Sequence, residues 1–117
     1  MDKKINVTIW NEFVHENTNE ACKKMYPGGL HLAIAAGIAC DDFDIKYATL
    51  NQDDEHGLSE DVLKNTDVLI WWGHCAHDKV KDEIVDRVMK HVWEGMGIIC
   101  LHSAHMSKVF RRLNGTT

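Results

Sequence analysis

A chain of 117 residues, 44% apolar and 26% charged, has the size and composition of one soluble globular domain, not two. Its formal charge of −5 excludes the basic surface that nucleic-acid binding requires, and no apolar run approaches the roughly 20 residues that span a bilayer. Cys22, Cys40, Cys75 and Cys100 form no C-x-x-C pair, which excludes a zinc ribbon and a thioredoxin motif.

The start, Met1-Asp2-Lys3-Lys4, has no signal-peptide pattern, so a cytoplasmic location is expected, with neither membrane nor nucleic acid as partner. In that compartment the cysteines read as free thiols, with Cys40 and Cys100 buried in apolar runs. Residues 5–10 alternate apolar and polar side chains and are rich in β-branched types, the pattern of a first strand. A helical turn or two is predicted over 18–25. Pro27-Gly28-Gly29 interrupts it, and an apolar helix follows over 30–40 with Leu30, Ile34 and Ile38 on one face. Residues 43–48 alternate again as a second strand. A polar loop follows, in which Asp53, Asp54, Glu55 and His56 read as solvated, and Ser59 is placed to cap a short helix.

Residues 67–72 form a nearly continuous apolar run, as expected of a strand covered on both faces in a parallel sheet. An amphipathic helix is predicted to open at His77 or Asp78, with Val80, Ile84, Val85, Val88, Met89 and Val92 facing inward and Gly95 stopping it. His91 reads as a surface residue of that helix. Residues 97–101 make a fourth buried strand and 107–113 a final helix. Strands alternating with helices imply a parallel α/β sheet with right-handed crossovers.

Open sheets of this class bind ligands beyond the carboxyl ends of their strands. The residues just past the strands therefore carry the functional reading. They are Asn11, Glu12, His15 and Glu16 after the first strand, and His74 and His77 after the third. His102, Ser103 and His105 follow the fourth. If the strands take the doubly wound order 2-1-3-4, these three loops converge on one crevice. His-x-x-His occurs twice there, and imidazoles with a carboxylate suit zinc, manganese or iron. The metal-ligand candidates are His74, His102, His15, His77 and His105. Histidines hydrogen-bonded to backbone or to a sugar are the alternative without metal. Trp10, ending its strand, is weighed as core or sugar contact, and His31 stands one turn into the helix after Gly29.

Several stretches resemble the trehalose-utilisation (ThuA-like) family: Val7-Thr8-Ile9-Trp10-Asn11-Glu12, Tyr26-Pro27-Gly28-Gly29-Leu30-His31 and Ala48-Thr49-Leu50. The most specific run from Asn65 through Trp71-Trp72-Gly73-His74 to Ala76-His77, and from Glu94-Gly95-Met96-Gly97 to Leu101-His102-Ser103-Ala104-His105. The resemblance implies a flavodoxin-like, class I glutamine amidotransferase-like three-layer fold. It further implies that the chain is the N-terminal half of the family's domain, whose size follows roughly the common 200-residue α/β pattern. The superfamily's nucleophilic cysteine would fall on the turn from Cys100 to Ala104, where His102 takes its place, so amidotransferase chemistry is not expected. The implied role is in disaccharide utilisation, on a sugar or keto-sugar. His102 and Glu12 are the expected catalytic residues, with Trp10, Asn11, His31 and Ser103 contacting the carbohydrate. A non-catalytic sugar-binding or regulatory module is the alternative. So is an inactive fragment, whose uncovered fourth strand would invite pairing into a homo-oligomer.

Overall fold

The structure, a computed structural model, describes residues 4–13, 20–25, 29–73, 76–101, 104 and 107–115. The elements follow in the order β1 (Ile5–Asn11), α1 (Glu20–Met25), α2 (Leu30–Ile38), β2 (Phe43–Thr49), α3 (Glu60–Lys64) and β3 (Val68–Trp72). A 3-10 turn (His77–Lys79), α4 (Asp82–Trp93), β4 (Gly97–Cys100) and α5 (Lys108–Leu113) complete the chain. All three strand pairs are parallel, and the sheet order is β2-β1-β3-β4. The α/β reading and the 2-1-3-4 order of the flavodoxin-like fold are therefore what the chain adopts.

Apolar alternation decides which side chains meet. On one face Trp10, Leu69 and Trp71 pack with Leu63 of α3, with Ile84, Val85, Val88 and Met89 of α4, and with Val109 of α5. On the other, Val7, Ile9 and Ile70 pack with Ala35, Ile34 and Ile38, all from α2. One face thus has three helices and the other is covered chiefly by α2, which lies on β1. The coverage is uneven.

That asymmetry corrects the reading of the fourth strand as fully buried. Ile98 packs into the larger cluster, but Ile99 points to the other face and is 49% exposed. Cys100 is half-buried, whereas Cys40, two residues past α2, is exposed. An apolar run near a helix end does not bury a thiol when the chain turns away from the sheet.

The predicted amphipathic helix is also split. Val80 and Lys81 are extended, and α4 begins only at Asp82. Tertiary partners take the backbone groups that a continuous helix would need: the Lys81 amide donates to His56 Nε2 (3.0 Å), and the Val80 carbonyl accepts from Lys108 Nζ (2.8 Å). Two caps follow the sequence. Ser59 accepts from the Val62 amide and Ser107 from the Phe110 amide, each satisfying one orphan donor of a short helix. Ser107→Ala should lower stability by about 1 kcal/mol, measured as a shift in the urea midpoint with an unchanged slope.

Candidate functional site at the carboxyl edge of the sheet

The strands β1 and β3 stand side by side in register, Trp10 opposite Trp71 and Asn11 opposite Trp72. The crossovers leave β1 towards β2 on one face and arrive at β3 from the other. The switch point of the sheet is therefore the gap past Asn11 and Trp72, where doubly wound folds place their ligands.

Glu12 is the first residue beyond β1, its amide donating to the Trp72 carbonyl (3.3 Å). Its side chain is only 1% exposed, and Oε2 accepts from the Ala76 amide (3.0 Å). A buried carboxylate needs such donors to offset lost hydration. Gly73 makes room for it. A Cβ on Gly73 would stand 3.1 Å from Glu12 Oε2 and 3.1 Å from His77 Nδ1. The glycine thus lets a carboxylate and an imidazole approach the same point of the backbone.

On the far side of β1, Asn11 is fully buried and His31 8% exposed. Asn11 Nδ2 lies 3.1 Å from His31 Nδ1, and Asn11 Oδ1 accepts from the Phe13 amide. The His31 ring sits between Phe13 (centroids 5.1 Å apart, edge-on) and Tyr47 (5.5 Å). Here too a glycine is required: Gly29 has φ +95°, and a Cβ there would come 2.5 Å from His31 Cε1 and 2.8 Å from Phe13 Cε1. A side chain in that backbone conformation would be strained as well.

Of the residues singled out from the sequence, the described structure brings Glu12, His77, Asn11 and His31 to this edge. His15, His74, His102, Ser103 and His105 lie outside the described residues. Of the two readings of Trp10, the structure places it in the core. It is 1% exposed, stacks on Trp71 with centroids 4.0 Å apart, and donates its indole N–H to the His56 carbonyl (3.1 Å). Among the described residues no three His, Cys, Asp or Glu side chains are grouped as a metal site. Cys100 packs against the core, and burial pushes its thiol up. Since the thiolate is the nucleophile, Cys100 is not presented for covalent catalysis.

Sequence reasoning missed His56. Instead of a solvated loop residue it is a 6% exposed knot. The Lys81 amide can only donate, so Nε2 is the bare nitrogen, and Nδ1–H donates to the Leu50 carbonyl (2.8 Å). His91 is likewise less free than expected, its Nε2 bonded to Glu60 Oε2 at 2.9 Å. That bond, first, and the charges nearby hold the Glu60 carboxyl below the usual value. Positive φ at His56 (55°) and Gly57 (70°) was the legible clue only in part, as the glycine alone marks a turn.

A family model described as ThuA, trehalose utilisation, matches residues 6–117. The chain belongs to the ThuA family. No curated protein matches it. In this ThuA chain, no helix among the described residues is long and apolar enough to cross a membrane.

Two predictions follow from the geometry around the edge. Gly73→Ala must displace Glu12 or His77 and should cost about 1–3 kcal/mol, read from thermal unfolding, whereas Gly37→Ala, where a Cβ meets nothing within 4 Å, should not destabilise. The second concerns Lys108, which clamps the turn behind His77 by donating to Val80 O and to Asp82 Oδ1 (2.9 Å). Its hydrogen bond and charge hold the Asp82 carboxyl below the ordinary Asp value. A lowered folded-state value stabilises above the unfolded pKa, about 3.9, and the contribution fades as pH falls through the folded value. Asp82→Asn should therefore differ from the native chain in melting temperature at pH 7, and the difference should close on acidification below that range.

Proposed function

We propose that this ThuA chain acts in trehalose utilisation by binding a disaccharide or its keto derivative at the carboxyl edge of β1 and β3, with Glu12 as the proton-transferring base. The observation that carries the reading is the Glu12 carboxylate, buried at the switch point, oriented by the Ala76 amide and set beside His77 by the absence of a side chain at Gly73. A positioned carboxylate of this kind removes a proton from the carbon next to a sugar carbonyl. The C–H electron pair moves onto the carbonyl oxygen, and an imidazole N–H from His77 or His102 stabilises the charge there.

Glu12 and His77 also have the donor chemistry of a zinc, manganese or iron site, which His74, His102, His15 and His105 would complete. Bound there, such an ion would supply Lewis acidity at the sugar oxygen. The chain's own residues keep their tasks: Glu12 moves the proton, Gly73 admits it, and the Ala76 amide fixes its direction. The reading includes Ser103 as a contact to a sugar hydroxyl and a cytoplasmic location for the protein.

Glu12→Gln keeps the shape and the acceptor for Ala76 but removes the base. Turnover of keto-trehalose should fall by about 10²–10⁴ while the melting temperature stays within a few degrees. Unchanged turnover in a folded variant sinks the proposal. Elemental analysis of chelator-free protein checks the metal: near-stoichiometric zinc, manganese or iron should be lost in His77→Ala and in His74→Ala.

A further inference from the structure

The ring of His56 joins three segments, and the direction of each bond is fixed by its partner. The Lys81 amide only donates, so Nε2, 3.0 Å away, accepts, while Nδ1–H donates to the Leu50 carbonyl at 2.8 Å. Both nitrogens are in use and the residue is 6% exposed. A second proton has one place to go, Nε2, where it would face the Lys81 N–H. Two donors cannot share that contact. His91 presents the opposite case. Its Nε2 stands 2.9 Å from the Glu60 carboxylate, an acceptor that a charged ring keeps.

We infer that His56 is a proton-operated catch: the neutral ring holds Lys81 at the head of α4, and uptake of a second proton releases it. Imidazole is the side chain that changes charge in mild acid. The part it holds is a two-residue extended link, Val80 and Lys81, between the 3-10 turn and α4, and Lys81 gives α4 no side-chain cap. The loop side is loaded, because His56 has a φ of 55°, a left-handed conformation that costs a residue with a Cβ. Charged groups stand on each segment that meets there. On the loop, Asp53 Oδ1 takes the Glu55 and Gly57 amides, the Asp54 carbonyl takes Lys81 Nζ, and Glu55 lies 3.7 Å from Arg87 of α4. At the head of α4, Asp82 is paired with Lys108 of α5, and β1 contributes only the uncharged Trp10 indole. Neither ring nitrogen bonds to a carboxylate, so no acid accepts the new N–H in place of Lys81. Once the ring lets go, the link keeps the bond from Lys108 to the Val80 carbonyl and that from Lys81 Nζ to Asp54. The same link carries the turn of His77, which stands with Glu12 beside Gly73; in extending acid control to that site, the inference rests on the function proposed above.

Ring and amide are read together in the ¹⁵N-labelled protein without sugar. Long-range ¹H–¹⁵N spectra follow the two His56 nitrogens as pH is lowered, their signals identified by loss in His56→Asn. Hydrogen exchange follows the amides of Lys81 and of Val88, a fully buried residue in the middle of α4, each as protection relative to its intrinsic rate. The expected result is a protonated Nδ1 and a bare Nε2 at neutral pH. Lys81 protection should then fall by about tenfold over the interval in which Nε2 gains its proton, while Val88 stays protected. A bare Nδ1 at neutral pH overturns the inference. So does a Lys81 amide that keeps its protection after the ring is charged, or a joint loss at Lys81 and Val88, which marks general unfolding. Asn tolerates the left-handed backbone and does not titrate, so His56→Asn should show no such step at Lys81; a step that persists in the folded variant overturns the role of His56. Since no sugar is used, this result and the turnover of Glu12→Gln stand or fall separately.

Discussion

The stack of Trp10 on Trp71 is the contact on which the arrangement of this domain depends. The two indoles lie 4.0 Å apart and within 16° of parallel, on the two central strands, at positions directly opposite in the register. Slipping either strand by one residue would send its indole to the other face, which α2 chiefly covers. The stack therefore sets the relative height of β1 and β3, and with it the level at which Asn11, Glu12 and Gly73 leave the sheet. The pair also carries a cost, because Trp71 Nε1 is buried without a partner among the described residues, a loss on the order of 1–3 kcal/mol that the burial of two large rings has to exceed.

Around that stack, His56 acts as a knot. Its carbonyl takes the Trp10 indole proton, its Nδ1 donates to Leu50 and its Nε2 accepts from Lys81. One loop residue thereby joins the core to the start of α4. Lys108 reaches the same turn from α5. The His77 segment is held from two directions, so the turn that follows β3 is fixed in place by residues distant in sequence.

The apolar periods in the sequence were enough to find all four strands, and Ser59 and Ser107 marked helix starts because a cap is a local event between residues three apart. The placing of Asn11, Glu12 and His77 at one edge of the sheet was legible for a different reason, since topology alone decides which strand ends lie side by side. What sequence could not give were interactions that depend on distant partners. Val80 and Lys81 have helical spacing, yet their backbone groups bond to His56 and Lys108. Trp10 was expected to end its strand, where a surface residue could stand, and its register with Trp71 and the cluster around that pair bury it. Asn11 reads as a polar side chain at a crevice, and nothing local shows that both its ends are occupied. Ile99 has the pattern of a covered strand, but coverage depends on how far α2 extends across the sheet.

The order β2-β1-β3-β4 has a consequence for synthesis. Of the four strands β1 is made earliest yet lies inside the sheet, and its pairing with β3 bridges 61 residues, as between Val7 and Val68. During translation β1 emerges with both lateral edges unpaired, and the second is filled only after β3 has cleared the ribosome. Until then a β-branched segment that carries an indole is an open binding surface on the nascent chain. Non-local parallel pairing of this kind delays consolidation, so the interval before β3 appears is when the growing polypeptide is most exposed to chaperone capture or to a neighbouring chain on the same message.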